Sequence, residues 1–581
     1  MAKRKAPPKG KPTEPTTPAS ETWNRLPWRK LEQAVYRIQK RIYRAKQRDE
    51  TRTVQKLQKL LMKSKAARLI AVRRVTQDNQ GKKTAGVDGV KDVKPQDRLL
   101  LAEMIHPKHW KHHRPRPVRR VWIPKPGKSE RRPLGIPPMI ERAQQTLVKM
   151  ALEPEWEAVF EKNSYGFRPG RSCWDAIQAI FDHIKFKPKF VLDADLKGAF
   201  DHINHQALLT KLHTTPALRQ IIKGWLKAGV MEGVEFTPTE AGTPQGGPLS
   251  PLLMNVALHG MEEACIRGIK RAWETDRPIL IRYADDYVLL HAQLDILQRA
   301  SNNVESWLAN MGLQVNTQKT RITHTLTPIN GNVGFDFLGC HFLQVARSPK
   351  RSGKNTKGQP LGFKTLIRPS KEKIKNHIRE LNKKIRSLRG APQEALISAL
   401  NPMIRGWARY YRTVEATRTF CGCDSALYYQ LMSWAKWRHT KKSKGWMTKK
   451  YWRQVRDRLA FAVSDTNCLT LHSKTTIIRP YRKVKGNASP YNGDLLYWSQ
   501  RLQHHPLTRT TLGKLLYKQQ GRCRWCELAF RDGDHIEIDH LDGNHANHAL
   551  SNQMALHLHC HDARHAKFHK EWTPAEGINH K

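Results

Sequence analysis

One short segment, residues 279–290, constrains the fold of this chain more than any other. It reads ILIRYADDYVLL, so two apolar runs of strand length flank the adjacent acids Asp285 and Asp286. Tight hairpin turns favour Asn-Gly or Asp-Gly, and this pair contains no glycine. Two carboxylates beside buried strands also repel each other and resist the loss of water. A plain turn remains an open alternative, but a bound divalent cation removes both penalties.

A second strand-like segment supplies a third acid. Residues 190–203 read FVLDADLKGAFDHI, which places Asp195 at the end of an apolar run. Nucleotidyl transfer uses two Mg²⁺ ions held by carboxylates from neighbouring strands. Between the two segments, AGTPQGGPLSPLLMN (241–255) predicts a tight turn before a helix that begins near Ser250. This turn is either an ordinary loop and N-cap, or a surface where the backbone approaches the templating base and the incoming nucleotide.

The net charge indicates a polyanionic partner. Among 581 residues, 103 Lys and Arg face 50 acids, for a formal charge of +53. A compact protein with this charge repels itself unless a polyanion neutralises it, and nucleic acid is the obvious one. No apolar run approaches the about 18 residues of a spanning helix, so no membrane partner is expected.

The ends and the cysteines set further expectations. The basic start, MAKRKAPPKGKPTEPTTP, is followed by no apolar stretch, so it is not a signal peptide, and it predicts a disordered arm over residues 1–27. Nine cysteines, an odd number in a large chain, argue against a disulfide framework and for a reducing, cytoplasmic compartment.

Helical periodicity brackets a region of mixed strands and helices. Apolar stripes predict helices from about Trp28 to Ile105. A second amphipathic helix is predicted from an N-cap at Ser370 to Gly390. Its basic faces are either solvated or follow a nucleic-acid backbone, and we favour the second interpretation. The intervening residues, 190–342, predict an α/β unit.

From residue 512 onward the chain is rich in His and Cys. Cys523-x-x-Cys526 and His557-x-x-Cys560 are two ligand pairs at zinc spacing. A module this small needs such a staple, because its apolar core alone is insufficient. We therefore predict a structural zinc ion held by these four residues.

Together these motifs resemble the bacterial group II intron-encoded proteins, which are reverse transcriptases. Further matching motifs are LQKLLMKSKAARLIAVRRVTQDNQGKKTAGVDG (57–89), SYGFRPGRSCWDAI (164–177), GLQVNTQKTRI (312–322), FDFLG (335–339) and ALNPMIRGWARYYR (399–412). The resemblance runs from about Trp28 to the C-terminus. It implies a multidomain α/β protein built as a right-hand polymerase with two C-terminal additions. Its parts would be helical fingers (28–190), an α/β palm with an antiparallel sheet (191–345), a helical thumb or maturase domain (346–450), a small DNA-binding region (451–511) and a ββα-metal HNH endonuclease domain (512–581).

The resemblance also implies roles for individual polymerase residues. Asp195, Asp285 and Asp286 would bind two Mg²⁺ ions. Phe200 would exclude a ribose 2′-OH, although a Phe at this position is also ordinary core packing. The residues implied on the nucleotide side are Lys125 and Arg132 for the triphosphate, Gln245 and Gly246 for the pocket lining, and Lys319 for protonation of pyrophosphate. One extra residue in the basic loop leaves Arg131 as an alternative to Arg132, and a solvated charge cluster is the alternative for the whole pair.

In the C-terminal module the resemblance implies an HNH nuclease centre. His540 would act as general base, and Asn552 would position the His540 loop through backbone hydrogen bonds. One catalytic divalent ion would be held by Asp539, His561 and His565, the last two lying on one helix face at i, i+4 spacing. Asp539 stands where many members have His, and Asp is a suitable hard ligand for Mg²⁺. A His-rich structural zinc knuckle is the alternative.

The implied function is that of a mobile intron protein acting in the bacterial cytoplasm, bound to intron RNA and to nucleoid DNA during integration. It would bind the intron RNA, assist splicing, nick a DNA target and copy the RNA from the cleaved 3′-OH with dNTPs. One rival is a splicing maturase with an idle polymerase site, and the intact set of three acids argues against it. The other is a free-standing HNH endonuclease on an RNA-binding scaffold, and the continuous polymerase motifs argue against that.

Overall fold

A computed structural model describes residues 19–124, 130–269, 277–502, 510–530 and 534–567. The α-helices are α1 (Ala19–Asn24), α2 (Trp28–Gln47), α3 (Thr51–Lys63), α4 (Lys65–Arg73), α5 (Pro95–Met104), α6 (Met139–Glu157), α7 (Cys173–Ile184), α8 (Ala199–His202), α9 (His205–Lys211), α10 (Pro216–Leu226), α11 (Ser250–Leu258), α12 (Met261–Ile266), α13 (Leu294–Ala309), α14 (Lys371–Ser387), α15 (Gln393–Tyr411), α16 (Thr417–Arg438), α17 (Lys444–Tyr451), α18 (Leu495–Arg501), α19 (Thr510–Lys518) and α20 (Leu558–Lys567). In the described part of the chain, no helix has the length and apolar character needed to cross a membrane.

The strands form five separate sheets or hairpins within the described ranges. They are β1 (Val118–Pro124), β2 (Arg131–Ile136), β3 (Phe190–Asp195), β4 (Val230–Glu232), β5 (Glu235–Thr237), β6 (Ile279–Tyr283), β7 (Asp286–His291), β8 (Arg321–His324), β9 (Phe335–Phe337), β10 (Cys340–Ala346), β11 (Phe363–Pro369), β12 (Trp452–Val455), β13 (Arg458–Phe461), β14 (Ile536–His540) and β15 (Gln553–His557). The sheet orders are β2-β1-β4-β5, β6-β7-β3-β8 and β11-β10-β9, with the pairs β12-β13 and β14-β15.

The N-terminal helices begin earlier than the sequence predicted. The disordered arm expected over residues 1–27 is wrong at its end, because Ala19–Asn24 is helical and Trp23 is only 1% exposed. The Trp23 indole donates to Gln77 and its ring packs against Trp28, so this tryptophan anchors the segment in the core. Residues 1–18 lie outside the described ranges.

Helix α6 forms the centre of the N-terminal half. Its residues are buried on nearly every side, and helices α2, α3 and α4 pack against it. The fingers region expected to be helical also contains the β1-β2 hairpin, to which β4 and β5 add from the sequence range expected to be palm.

The sheet β6-β7-β3-β8 lies between two hydrophobic cores. Along β3, Val191 belongs to one core and Leu192 to the other, as the two-residue period of a strand requires. Along β7, Val288 packs with the Val191 core and Leu289 with the Leu192 core. The sheet is therefore covered on both faces, which fixes its register firmly.

The region after the sheets is a helical unit with its own core. Helices α14 to α17 and the β12-β13 hairpin share this core, which includes Trp452, Phe461 and Leu469. Ser370 is the N-cap residue of α14 as predicted, without a side-chain cap hydrogen bond. The packing continues past the predicted thumb boundary at residue 450, because Trp452 and Phe461 of the β12-β13 hairpin pack against Tyr428 and Trp434 of α16.

A strap segment, defined here as residues 477–502, returns from this unit to the N-terminal half. Trp498 is fully buried against Gly170, and Tyr491 donates a 2.8 Å hydrogen bond to Glu153 in α6. Arg501 pairs with the fully buried Asp175 in α7. Part of the predicted DNA-binding region (451–511) is thus packed against the polymerase motifs.

The C-terminal module follows the strap segment. Helix α19 packs on β15, and Leu496 of α18 joins the small core that includes Leu512 and Leu516. The antiparallel pair β14-β15 leads into α20. All nine cysteines of the chain are free of disulfides.

Candidate active site and metal centres

The strand register brings the three predicted acids together. Asp195, the last residue of β3, lies directly opposite Asp286, the first residue of β7. Opposed residues of an antiparallel pair project to the same face, so both carboxylates share one side of the sheet. Asp285 sits in the two-residue turn that joins β6 to β7, beside Ala284, whose φ is 59°. That left-handed residue replaces the glycine which a tight hairpin favours.

Burial and mutual repulsion disfavour the charged forms of these carboxylates. Burial, and then the charges of Asp285 and Asp195, raises the pKa of Asp286 to about 7. Burial also raises the pKa of Asp285, with Asp195 adding to the effect. Oxygen ligands of this kind suit Mg²⁺, whose charge offsets their mutual repulsion. The donor set therefore fits a magnesium site.

Lys319 lies at this cluster. Its ammonium group donates to Asp195, and this hydrogen bond raises the pKa of Lys319. The side chain is 55% exposed, so it is free to rotate toward a ligand. Its contact with Asp195 is compatible with the predicted role toward pyrophosphate, which remains a prediction.

A cavity of about 260 Å³ is lined by two of the residues that were predicted to contact the nucleotide. Phe200 and Gln245 line it, together with Gly135 at the end of β2. Gln245 accepts a 2.7 Å hydrogen bond from the Gly135 amide, which joins the loop to the sheet. Gly246 has φ 125° and no space for a side chain, because a Cβ would meet the Gly135 carbonyl. These residues are brought together, and their contact with nucleotide remains a prediction.

The basic loop between β1 and β2 is partly described. Arg132 opposes Ile123 in the hairpin, whereas Arg131 opposes Pro124 and so projects to the other face. Burial raises the pKa of Asp285, and the nearby charge of Arg132 offsets a small part of that rise. The choice between Arg132 and Arg131 for the triphosphate stays a prediction. Lys125 lies outside the described residues.

Four C-terminal residues form the predicted zinc cluster. The ligand atoms of Cys523, Cys526, His557 and Cys560 all lie within 4.8 Å of one another. Cys526 Sγ is 3.4 Å from His557 Nδ1. Burial alone would raise the pKa of the Cys523 thiol, but backbone hydrogen bonds to its sulfur lower this pKa overall. The lowered pKa favours the thiolate, which is the form that binds metal. Three thiolates and one imidazole suit a tetrahedral zinc ion.

A second group in the module contains the predicted nuclease residues. Asp539, His561 and His565 also have ligand atoms within 4.8 Å of one another. Asp539 is simultaneously paired with Arg564, and both side chains are only 1% exposed. Arg564 also donates 3.0 Å hydrogen bonds to the carbonyls of His540 and Leu541.

The two remaining nuclease residues lie beside this group. His540 is 8% exposed, and its Nδ1 makes no hydrogen bond to the described part of the chain. The backbone carbonyl of Asn552 accepts a 2.7 Å hydrogen bond from the Leu541 amide, and its side-chain Oδ1 accepts a 3.1 Å hydrogen bond from the Asp542 amide. These bonds hold the loop after His540 in the manner predicted for Asn552, and the catalytic roles themselves remain predictions.

Two arginines of these sites were not recognised in the sequence. Arg282 lies beneath the Ala284–Asp285 turn, and Arg564 lies beneath Asp539. Arg282 interrupts the otherwise apolar strand run ILIRY, and a charged residue in a fully buried strand is an informative signal. Arg564 carries no comparable signal, because it stands among polar residues of α20.

Known protein families match most of the chain between residues 23 and 452. Three family models match: the N-terminal domain of reverse transcriptase at residues 23–105, reverse transcriptase (RNA-dependent DNA polymerase) at 123–342, and the group II intron maturase-specific domain at 371–452. The chain is 31% identical over 309 residues to Protein YkfC of Escherichia coli (strain K12), spanning 47% of this chain and 79% of that protein.

The chain belongs to the group II intron-encoded reverse transcriptase and maturase family. It is 30% identical over 327 residues to group II intron-encoded protein LtrA of Lactococcus lactis subsp. cremoris, spanning 45% of this chain and 53% of LtrA. It is 26% identical over 393 residues to Maturase-like protein 1 of Euglena gracilis, spanning 66% of this chain and 76% of that protein. Thus the alignment covers about half the length of LtrA. The predicted reverse transcriptase and maturase domains of this group II intron family member are confirmed.

Proposed function

We propose that this protein copies group II intron RNA into DNA at a nicked target, and that it also assists splicing of that RNA. The observation that carries the proposal is the opposition of Asp195 and Asp286 beside the Asp285 turn. Those acids lie in a sheet with cores on both faces, so they are held rigidly where two metal ions are needed. Magnesium, when bound, would lower the pKa of a primer 3′-OH and neutralise the triphosphate.

The chain's own residues would position the reactants. The arrangement supports a right-hand layout in which the helices α1 to α6 and the β1-β2 hairpin act as fingers. The sheet carrying Asp195 acts as palm, and the α14–α17 unit acts as thumb. Phe200 and the Gln245–Gly246 loop would hold the incoming dNTP, and Lys319 would release Asp195 to donate a proton toward the pyrophosphate. Positioning and electrostatic stabilisation account for most catalysis of this kind.

The C-terminal module would nick the target DNA. Its strand–strand–helix order and its two metal-ligand groups support a ββα-metal HNH domain with one structural zinc ion. His540 has an unoccupied ring nitrogen among the described residues and could accept a proton from water. His561 and His565 would join Asp539 as ligands of one divalent ion. Arg564 would then either move away from Asp539 or stay bonded to it while Asp539 also binds the ion.

The charge of +53 supports the assignment of partners. Intron RNA and target DNA would be bound along basic surfaces, chiefly through phosphates. We place the protein in the bacterial cytoplasm, bound to intron RNA and to nucleoid DNA during integration.

Primer extension tests the polymerase proposal. A DNA primer on an RNA template is extended with dNTPs and Mg²⁺ by the unmodified chain, by Asp286→Asn and by Asp295→Asn, an exposed acid of α13 that serves as control. We expect extension by the unmodified chain and the control only. Equal extension by Asp286→Asn would refute the site, and tight intron RNA binding without extension by any form would favour a splicing maturase.

Strand nicking tests the nuclease proposal separately. The intron ribonucleoprotein is incubated with a double-stranded target labelled on each strand, using His540→Ala and His535→Ala, an exposed histidine of the same module. We expect bottom-strand cleavage to be lost only in His540→Ala, with primer extension intact in both. Cleavage that survives His540→Ala would leave a structural zinc knuckle as the better interpretation.

A further inference from the structure

A buried arginine supports the turn that carries the catalytic pair. Arg282 is 1% exposed, and its Nη1 donates to the Ala284 carbonyl at 3.1 Å and to Asn255 Oδ1 at 3.0 Å. The Ala284 carbonyl belongs to the peptide that enters Asp285. Arg282 therefore contacts the backbone immediately before a predicted metal ligand without reaching the metal site itself.

The turn is also held from a second direction. Asn255 donates a 2.9 Å hydrogen bond to the Gly166 carbonyl, and Gly166 lies so close to Ala284 that a Cβ would collide with the Ala284 backbone nitrogen. Both backbone polar groups of Arg282 bond to one neighbouring segment. The Arg282 carbonyl accepts from the Tyr165 amide, and the Arg282 amide donates to the Asn163 carbonyl, each at 2.9 Å. Arg282 and Gly166 thus contact the turn directly, and Asn255 links the two by hydrogen bonds.

Burying a guanidinium is costly, and the fold compensates for it. Glu161 Oε2 lies 4.0 Å from Arg282 Nη2 and 3.1 Å from His259 Nδ1. Glu161 also accepts from the Gly260 amide at the start of α12. Although burial alone would raise its pKa, His259, Arg282 and Gly260 lower the pKa of Glu161 to about 2, so the carboxylate stays charged. Arg282 is thus charge-compensated on one side by Glu161, while its Nη1 remains bonded to the turn.

The conformation of the turn is one that needs support from its surroundings. Ala284 has φ 59°, a region that residues other than glycine rarely occupy and that persists only when the surroundings hold it. We propose that Arg282 is a positioning residue for reverse transcription: by holding the Ala284 carbonyl it fixes the left-handed turn and the direction in which Asp285 presents its carboxylate. This inference rests on the proposed polymerase function.

Steady-state primer extension across a Mg²⁺ series tests the role. We compare the unmodified chain with Arg282→Met, Arg282→Lys, and Arg282→Met combined with Ala284→Gly. The matched control is Arg68→Met, since Arg68 is also buried, donates to a backbone carbonyl and pairs with an acid, but lies among the N-terminal helices. Thermal unfolding and primer-template affinity are measured on every form.

For Arg282→Met we expect kcat to fall about 100-fold, as a displaced catalytic group of this kind can cause. The Mg²⁺ concentration for half-maximal rate should rise, while the dNTP KM and primer-template affinity stay near those of the unmodified chain. Arg282→Lys, which keeps the charge beside Glu161 but fewer donors, should be intermediate. Ala284→Gly should restore part of kcat, because glycine adopts a left-handed φ without strain. The Arg68→Met control should keep its kcat.

Three results would overturn the role. An unchanged kcat and Mg²⁺ requirement in Arg282→Met is the first. A loss of activity that merely follows a loss of folding or of primer-template affinity is the second, and if Arg282→Met does not fold, Arg282→Lys decides between the two readings by the same criteria. The third is a failure of the unmodified chain to extend a primer, which would remove the proposed function and the positioning role together.

Discussion

The side chains of Asp195 and Asp286 project from the same face of the sheet, at the last residue pair of the antiparallel ladder between β3 and β7. Behind them on that face lie Val191 and Val288, in one core, while Leu192 and Leu289 fill the other. A slip of one residue in β7 would move Asp286 to the opposite face and exchange every buried side chain of the strand. The geometry of the acids is therefore maintained by packing on both sides of the sheet.

The magnesium requirement of primer extension should depend on pH. The pKa of Asp286 is raised to about 7 without metal, so protons compete with Mg²⁺ for this carboxylate below that pH. We expect the half-saturating Mg²⁺ concentration to increase as the pH is lowered from 8 to 6, approaching about tenfold per unit below pH 7 if one proton is displaced. Mg²⁺ titrations of initial rate at each pH measure this. A requirement that is constant over the range would contradict the assignment of Asp286 as a ligand.

Substitution of Phe200 should relax discrimination against ribonucleotides. Its ring lines the cavity beside Gln245 and packs edge-on against Phe167, with 6.3 Å between the ring centroids. Phe200→Val should increase incorporation of rNTPs relative to dNTPs by roughly 10-fold or more, because a steric clash is removed. Competing single-nucleotide incorporation measures the ratio. Phe186→Ala, an exposed aromatic outside the cavity, is the control, and an unchanged ratio in Phe200→Val would assign Phe200 to core packing alone.

Loss of the zinc cluster should affect the C-terminal module and leave the polymerase intact. Cys560→Ser removes one of four ligands, and small metal modules lose much of their folding free energy with the metal. We expect about one zinc ion per chain in the unmodified protein, none in Cys560→Ser, loss of nicking, and normal primer extension. Metal analysis combined with both assays checks this. Cys421→Ser, which changes an exposed cysteine on α16, should behave as the unmodified chain.

The maturase-specific region should lose stability in mild acid. His377 is stacked on Trp407 with ring centroids 4.5 Å apart, and its Nε2 lies 2.8 Å from that of His472. Burial, and then the nearby His472, lowers the pKa of His377 to about 4, below its ordinary 6.5. As the pH falls, His377 is therefore protonated in the unfolded chain at a higher pH than in the folded chain. Its contribution to the free energy of unfolding is complete above about pH 6.5 and is lost as the pH falls toward 4. Urea unfolding at several pH values should show a smaller decline for His377→Gln than for the unmodified chain, and identical declines would contradict this origin.

Packing of the strap segment should contribute to the free energy of unfolding of the polymerase. Trp498→Ala removes a fully buried side chain and should cost about 3–5 kcal/mol of unfolding free energy. Trp437→Ala, at a tryptophan that is 53% exposed, should cost about 0.5 kcal/mol or less. Chemical denaturation of both variants measures the difference. Equal small costs would show that the strap segment packs only loosely.

Much of the polymerase centre was predictable because its signals are local. The pattern of apolar strands ending in Asp195 and beginning at Asp286 indicated both the strands and the placement of the acids. The grouping of the candidate metal-binding side chains in the C-terminal module was likewise predictable, since Cys-x-x-Cys and i, i+4 histidines are set by spacing along the chain. Their binding of metal stays a prediction. The amphipathic helix beginning after Ser370 followed from its apolar period.

What could not be predicted depends on contacts between distant parts of the chain. Residues 477–502 show no clear apolar period, and their burial becomes evident only when Gly170, Glu153 and Asp175 are in place around them. Trp23 was assigned to a disordered arm because its neighbours in sequence are polar, while its partners are Trp28 and Gln77. Arg282 was overlooked because its significance depends on Asn255 and Gly166, which come from other segments.

The docking of the strap segment also bears on how such a protein can be divided. The maturase-specific family match ends at residue 452, yet Val484 and Trp498 fill the core that underlies β6 and β7. A polymerase freed of its C-terminal module, by gene truncation or by engineering, would have to retain the residues up to 502 to keep that core covered. The natural cut point is thus set by three-dimensional packing some fifty residues after the point that family boundaries suggest.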